Sequence, residues 1–274
     1  SEIAWGQTEI SSCPTVFAVN QLDHQGANFN DSVNSLKEYF GDKVTVIQYP
    51  VSIGEGFNTI IDLMLMKQLK FNNNGGEPEI SDIPDSEKDK ADDLHLTLVE
   101  NAAEGDEKLM EKYFENDTLT LEEMREGVRL GMISRSIFPV MCTSAKSGIG
   151  ATRVMDFITN SCPAPNEMPE RETTNGKAFK TSTSDPTALF VFKTSIEQHL
   201  GEVSCFKLYG GTLTEGMDLI NPRTGNKERL SQFFVLNGKN REKIEKVVAG
   251  DIAITIKLKD VRTGDSLMDS KVAD

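Results

Sequence analysis

Two polar residues, Asn20 and Asp23, follow an apolar run at 15–19 and are of types that can read a nucleotide base. The run predicts a buried strand, so both side chains should lie just beyond its carboxyl end. The Asp23 carboxylate can accept two parallel hydrogen bonds, from the N1–H and the 2-amino group of guanine. Adenine offers no matching pair of donors, and a site built for such pairing rejects the wrong partner strongly. The pair therefore predicts recognition of guanine.

The chemistry that handles nucleotide phosphates is not visible in the 274 residues. Phosphate loops read G-x-x-x-x-G-K-[ST], so that backbone N–H groups surround the phosphates. Gly211 and Gly216 have the glycine spacing, but Met217 follows them in place of Lys. This stretch is better explained as a turn between strands. Hydrolysis of a nucleoside triphosphate also needs groups that hold Mg²⁺ and orient water. An Asp-x-x-Gly element after an early strand would be expected to supply such groups, and none precedes Asn20 in the sequence.

Composition sets further limits on function. The net charge of −14 argues against unaided, non-specific binding to nucleic acid, and no apolar stretch approaches a membrane span of about 20 residues. The hydrophobic share of 38% is compatible with packed cores. The cysteines and histidines are dispersed, which predicts reduced thiols and no metal site. They are Cys13, Cys142, Cys162 and Cys205, and His24, His95 and His199.

The first part of the chain alternates strand and helix patterns. The strand at 15–19 is followed by an amphipathic helix near 30–40, with Val33, Leu36 and Phe40 on one face. Further strand patterns then frame a strong turn signal, the run Asn-Asn-Asn-Gly-Gly at 72–76. They occupy residues 44–51, 60–71 and 77–83.

An acidic block of helical pattern follows. Ser86 and Asp89 suggest a capping box that opens one long helix, which runs to about Asn116. Thr120 and Glu123 form a second capping box, for a helix that ends near 131. A short apolar strand at 137–142 and a helix around 154–159 complete this part.

A Pro-rich and polar stretch marks a boundary between two domains. Beyond it, short strand patterns separated by Gly, Pro and Asn turns predict a small closed barrel. The fold class is therefore α/β followed by an all-β barrel. The predicted limits are 1–170 for the α/β domain, with an insertion at about 44–135, then a linker at 171–184 and a barrel at 185–274.

Taken together, these features resemble translation elongation factor G. The resemblance rests on Asn20-Gln21-Leu22-Asp23, on the long acidic insertion that contains Glu-Lys-Leu-Met-Glu-Lys-Tyr at 107–113, and on the barrel motifs. Those motifs include Val-Ala-Gly-Asp-Ile at 248–252 and Asp-Val-Arg-Thr-Gly-Asp at 260–265. The resemblance implies that the α/β part is the second half of a P-loop GTPase domain and that the barrel is the second domain.

The resemblance also implies roles for particular residues. It assigns Asn20 to guanine N7 and Ala145 N–H to guanine O6, while Ser144 braces its loop toward Asp23. Gln21 stands where the family usually has Lys, so it keeps an aliphatic stem without the charge. The nucleotide-binding residues expected on this basis are Asn20, Gln21, Asp23, Ser144, Ala145 and Lys146. No catalytic residue and no metal ligand is assigned.

The function expected from the resemblance is that of an internal fragment of a cytoplasmic, ribosomal translocase GTPase. GTP or GDP with Mg²⁺ would bind the full-length protein, whereas this fragment is expected to hold no nucleotide and to be inactive alone. The ribosome is the expected partner, through small-subunit RNA at the barrel and a stalk protein at the insertion; no membrane is expected. The abrupt start at Ser1 suggests a truncated domain whose strand at 15–19 has an open edge, which favours self-association.

Several alternatives stay open at this point. A ribosomal-protection factor, a recycling GTPase or a specialised paralogue would share these motifs, and a ribosome-binding module without turnover is a different class of function. Asn20 and Asp23 could also simply shape a turn or cap a helix. The acidic block could be a solvated face, and the basic residues of the barrel ordinary surface charge. Trp5 has no visible role.

Overall fold

A computed structural model describes residues 2–173, 176, 178–197, 201–238 and 240–271. The chain divides into two compact units, Ser1–Pro163 and Ala164–Asp274. The first unit combines helices with two sheets, and the second consists of β-strands. The predicted class, α/β followed by all-β, is confirmed. The predicted domain limits remain predictions, although strands pair inside the segment predicted as linker.

Among the described residues, all α-helices lie in the first unit. They are α1 (Glu2–Ile10), α2 (Phe29–Phe40), α3 (Asp85–Glu104), α4 (Glu107–Asn116), α5 (Leu121–Ser134) and α6 (Ala151–Ser161), and a short 3-10 helix spans Gly41–Lys43. The strands of this unit are β1 (Phe17–Val19), β2 (Val44–Val46), β3 (Gln48–Pro50), β4 (Thr59–Asp62), β5 (Lys67–Asn72), β6 (Gly75–Ser81) and β7 (Phe138–Cys142).

The first unit contains a parallel sheet of order β1-β7-β2 and an antiparallel sheet of order β3-β4-β5-β6. The chain passes from one sheet to the other at Ile47, whose N–H donates to Val140 O at 2.9 Å. Strand β7 is buried along its whole length, as expected for the central strand of a parallel sheet. One apolar core extends from this sheet to the insertion sheet, defined here as β3–β6.

Helix α1 and Trp5 have a clear structural role that the sequence did not reveal. The Trp5 ring packs against Phe40 at 4.3 Å and edge-on against Phe138 at 5.3 Å between ring centroids, and Phe17 joins the same cluster. The Arg135 guanidinium lies 5.0 Å from the Trp5 ring, and its Nη1 donates to Thr8 O. These contacts attach α1 to the parallel sheet.

The prediction of one long acidic helix was wrong. Helix α3 ends at Glu104, and Asp106 begins α4 as an N-cap that accepts hydrogen bonds from the N–H groups of Lys108 and Leu109. The capping box expected at Ser86 is also wrong, because the residue before α3 is Pro84 and no side chain caps it. The capping box of Thr120 and Glu123 at the start of α5 is confirmed.

The second unit is built around an eight-stranded antiparallel sheet of order β14-β13-β19-β10-β11-β18-β15-β16. Two shorter pairs, β12–β17 and β8–β9, accompany it, and residues of β12 and β17 share the core of the large sheet. The strands are β8 (Arg171–Glu172), β9 (Ala178–Phe179), β10 (Ala188–Glu197), β11 (Gly201–Gly210), β12 (Thr212–Thr214), β13 (Asp218–Ile220), β14 (Lys227–Arg229), β15 (Phe233–Asn237), β16 (Asn240–Ile244), β17 (Lys246–Val248), β18 (Ile252–Ile256) and β19 (Ser266–Met268).

Candidate guanine-binding site

The parallel pairing of β1 and β7 brings two predicted base-binding loops together. Val19 lies opposite Cys142 in the register, so the strands end side by side. The next residue in each chain segment begins a loop, and Thr143 N–H donates to Val19 O at 3.0 Å. Because the carboxyl ends of parallel strands meet at one edge of a sheet, this edge is where such folds bind ligands.

Asn20 joins the two loops directly. Its Oδ1 accepts a hydrogen bond from Ala145 N–H at 2.9 Å and one from Gln21 N–H at 2.8 Å. Ala145 N–H is the group that the resemblance assigns to guanine O6. A guanine that uses it must therefore share this donor with Asn20 or displace the amide. The Asn20 side chain thus holds the donor in place when the base is absent.

Asp23 follows Asn20 on the same loop, and its carboxylate is uncommitted. Within the described part of the chain, no hydrogen bond or ion pair engages it. The side chain is half-buried, and its neighbour Leu22 is anchored in the core. A fixed backbone with a free carboxylate is what recognition of two adjacent N–H donors requires.

The loop after β7 is closed by its own hydrogen bonds. Ser144 is fully buried; its N–H donates to Ile149 O at 2.9 Å, and its Oγ accepts from Ser147 N–H at 3.4 Å. The expected hydrogen bond between Ser144 and Asp23 is not found among the described residues, because the hydroxyl faces its own loop. Lys146 is exposed on the same loop.

Gln21 occupies an unusual backbone conformation, with φ of +62°. Its carbonyl accepts from His24 N–H at 3.0 Å, which closes a turn around Leu22 and Asp23. A non-glycine residue in the left-handed region is uncommon and persists where surrounding contacts determine it. The exposed Gln21 side chain adds no positive charge to the loop.

Sequence reasoning missed the groups that support these loops from the insertion sheet. Gly54 N–H donates to Leu22 O at 2.7 Å, and the backbone of Gly75 lies against Gly148. The signal available in the sequence was the position of these glycines in turn-rich stretches, which indicates turns but not their distant contacts.

Neither a metal site nor a membrane-spanning helix is present among the described residues. No group of three or more His, Cys, Asp and Glu side chains there is arranged to hold a metal ion. No helix is both long enough and apolar enough to cross a bilayer.

Comparison with known proteins supports the resemblance read from the sequence. Residues 186–270 match the family model of elongation factor G domain 2. The fold matches the crystal structure of a protein from Thermus thermophilus, with a TM-score of 0.83 and 24% identity. The match covers 98% of this chain and 38% of that chain.

The second unit therefore contains a segment similar to a translation-factor domain. More particularly, residues 186–270 match the model of elongation factor G domain 2, and the resemblance suspected from the sequence is confirmed. The likeness to the Thermus protein shows a shared fold over 98% of this chain, including the α/β part. The chain spans about two fifths of that protein's length.

Proposed function

We propose that this chain supplies the guanine-reading part of the nucleotide site in a translational GTPase that acts at the ribosome, as an elongation factor G-like translocase does. The observation that carries the proposal is the hydrogen bond that joins the Asn20 and Ala145 loops, together with an Asp23 carboxylate that has no partner among the described residues. The elongation factor G domain 2 in the same chain supports the ribosomal context.

Each base-reading residue has a distinct task in this proposal. Asp23 accepts from N1–H and the 2-amino group, and Ala145 N–H donates to O6 while sharing Asn20 Oδ1. The Asn20 amide nitrogen, left free by this arrangement, donates to N7. Gln21 and Lys146 flank the base, where the stem of Gln21 provides apolar cover without adding charge. Adenine has an acceptor at N1 and an amino donor at position 6, the reverse of guanine. It therefore leaves the Asp23 carboxylate unpaired, which is strongly unfavourable.

Phosphate handling belongs to other segments of such a GTPase. Nothing in the sequence provides a loop of backbone N–H groups around the phosphates, or the hydroxyl and carboxylate that hold Mg²⁺. The 274-residue chain should therefore bind GDP weakly and hydrolyse no GTP alone. In the full-length protein, GTP or GDP with Mg²⁺ is the proposed cofactor.

The proposed partners are ribosomal. The acidic insertion would face a stalk protein, and the barrel unit would contact small-subunit RNA phosphates. The basic residues expected at the barrel are partly committed to ion pairs: Arg223 pairs with Asp265, Arg241 with Glu197, and Lys243 with Glu215 at 3.5 Å. Lys239 lies outside the described residues. The barrel unit therefore has fewer unpaired positive charges available for RNA than its count of basic residues suggests. A cytoplasmic location follows from this function.

The test is a change of base preference in the full-length protein. Asp23→Asn replaces a carboxylate by an amide that can still accept from N1–H but now donates, which suits the 2-oxo group of xanthine. We expect GDP binding to weaken by about 100-fold or more and XDP binding to strengthen, as measured by competition with a fluorescent nucleotide. Asp42→Asn, an exposed acid away from the loops, is the control.

Unchanged GDP preference in Asp23→Asn would contradict the proposal. The 274-residue chain alone is titrated with GDP by calorimetry in parallel. Micromolar affinity of this chain for GDP would contradict the proposal that phosphate binding requires other segments of the protein. Ribosome-stimulated GTP hydrolysis by the full-length protein separates a translocase or paralogue from a binding module without turnover.

A further inference from the structure

The geometry points to the insertion sheet as the support that holds both base-binding loops in register. We propose that Gly54 and Gly75 are positioning residues, through which the insertion sets the affinity for guanine nucleotide. The inference rests on the proposed function. It goes beyond that function by assigning the insertion a direct part in the nucleotide site, in addition to any docking role.

The first contact lies under the loop that follows β1. Gly54 N–H donates to Leu22 O at 2.7 Å, and Gly54 has a φ of +84° that favours glycine. Gly54 O in turn accepts from Phe57 N–H at 3.0 Å, and Phe57 is buried in the core. The backbone between Asn20 and Asp23 is thus attached to the segment that leads into β4.

The second contact lies at the tip of the β5–β6 hairpin, beside the loop that follows β7. Gly75 is buried with a φ of +71°, and a Cβ atom there would lie 2.8 Å from Gly148 Cα and closer still to its carbonyl group. A Cβ at Gly148 would lie 3.3 Å from Asn74 O. The two backbones therefore touch with no room for a side chain, three residues beyond Ala145.

Two side-chain bonds fix the same hairpin and sheet to α6, which begins directly after this loop. Thr152 Oγ1 donates to Gly76 O at 3.0 Å. Arg153 Nη2 donates to the buried Asp62 carboxylate of β4 at 3.0 Å, and Gln48 Nε2 donates to the same oxygen at 2.8 Å. The loop is held between the hairpin tip on one side and the start of α6 on the other.

These contacts affect nucleotide binding because the groups proposed to bind the base lie on two loops that are joined by a hydrogen bond. A shift of one loop therefore moves the other. The hydrogen bond from Ala145 N–H to Asn20 Oδ1 spans the two loops, and each loop rests on a different part of the insertion sheet. Displacing the hairpin tip by about 1 Å would misalign the donor to guanine O6, and an error of that size can reduce binding and rate by orders of magnitude.

The test compares two adjacent glycines of the hairpin tip. Gly75→Ala and Gly76→Ala share a left-handed backbone, with φ of +71° and +85°, so both incur the same strain. Only the Gly75 side chain meets Gly148, since nothing lies within 4 Å of a Cβ at Gly76. Gly76→Ala is thus a control for backbone strain at the hairpin tip, because its added Cβ does not meet the loop.

Two readouts are measured. In the nucleotide-free 274-residue chain, amide exchange of residues 143–148 should be faster in Gly75→Ala than in Gly76→Ala, because the Ala145 hydrogen bond is weakened. In the full-length protein, GDP affinity should fall at least about tenfold in Gly75→Ala and little in Gly76→Ala. Thr152→Val, which removes a hydroxyl donor without backbone strain, should shift both readouts in the same direction if Gly75→Ala fails to fold.

The outcomes separate this inference from the proposed function. Equal exchange and equal GDP affinity in the two glycine variants would overturn the positioning role. If Gly75→Ala does not fold, a Thr152→Val variant that leaves both readouts unchanged would overturn it instead. If Asp23→Asn leaves base preference unaltered while Gly75→Ala still loosens residues 143–148, the proposed function fails and the structural support stands. A loss of GDP affinity in Gly75→Ala with normal melting of the nucleotide-free protein supports the inference.

Discussion

Asp265 shows how a single residue can organise several turns of the barrel unit. Its carboxylate accepts hydrogen bonds from Asn221 Nδ2 at 2.9 Å, from Arg223 Nε at 2.8 Å and from Arg262 N–H at 2.9 Å. The hydrogen bonds from Arg223, together with those from Arg262 and Asn221, lower the pKa of Asp265 to about 2. Arg223, one of the basic residues of the barrel, thus has a structural partner.

This carboxylate makes a predictable contribution to acid stability. Its folded pKa of about 2 lies below the unfolded value of about 4, so the contribution is present above about pH 4 and is lost as the pH falls toward 2. Asp265→Asn should lower the stability of the barrel unit by about 2 kcal/mol at neutral pH and flatten its dependence on acid. Calorimetric unfolding at about pH 7 and about pH 3 measures both effects.

Asp218→Asn, an exposed acid on β13, is the control for the change of charge. Equal losses of stability in wild type and Asp265→Asn on acidification would contradict the role given to this residue.

At the scale of elements, close helix packing in the first unit depends on glycine. Helices α3 and α5 approach at Gly127, where a Cβ atom would lie 2.8 Å from the carbonyl carbon of Ala102. Ala102 is fully buried, so neither backbone can move without opening the core. Gly6 in α1, by contrast, has no neighbour within 4 Å of a Cβ position.

The same substitution should therefore have opposite effects at these two helical positions. Gly127→Ala should destabilise the first unit by about 1–3 kcal/mol through overpacking. Gly6→Ala should stabilise it by about 0.5–1 kcal/mol through reduced backbone entropy of the unfolded chain. Urea unfolding followed by the fluorescence of Trp5, which packs in the aromatic cluster, reports both. A change of the same sign in the two variants would refute this account of the packing.

Local signals predicted elements well where the decisive contacts are local. The capping box of Thr120 and Glu123 involves residues three apart, and the turn at 72–76 is set by its own glycines. The break between α3 and α4 was missed because the helical pattern of apolar residues continues across it. Asp106 is nevertheless a favoured N-cap residue, and Gly105 a common helix end, so the signal was present.

At the scale of the whole molecule, the parallel sheet of the first unit has an open edge. Within the described residues β1 pairs with β7 alone, and Ala18 at its centre is exposed. Parallel sheets are normally covered on both faces, and an unpaired edge invites pairing with another chain. The prediction of self-association, made from the sequence, keeps its physical basis here.

We therefore expect the 274-residue chain to associate in a concentration-dependent way. Ala18→Lys should reduce this association, because a lysine on an edge strand disfavours pairing between chains. Sedimentation velocity over a range of concentrations measures it, with Ser35→Lys on the exposed face of α2 as a control for added charge. A chain that stays monomeric at all concentrations would exclude the open edge as an association site.

The sequence by itself determined the types and order of the groups involved. It placed Asn20 and Asp23 after a strand and Ser144 and Ala145 after another, because strand patterns and polar ends are local properties of the chain. Only the tertiary structure decided which of those groups contact one another. Asn20 and Ala145 are 125 residues apart, and their hydrogen bond exists because β1 and β7 pair in parallel.

The same physical reason explains the contacts that sequence patterns did not foresee. Ser144 faces Ser147 instead of Asp23, Trp5 fills an aromatic cluster, and Gly75 rests on Gly148. Each of these contacts forms between groups that the tertiary fold brings together. Local sequence patterns reflect interactions between residues that are neighbours in the chain, so they do not predict such contacts.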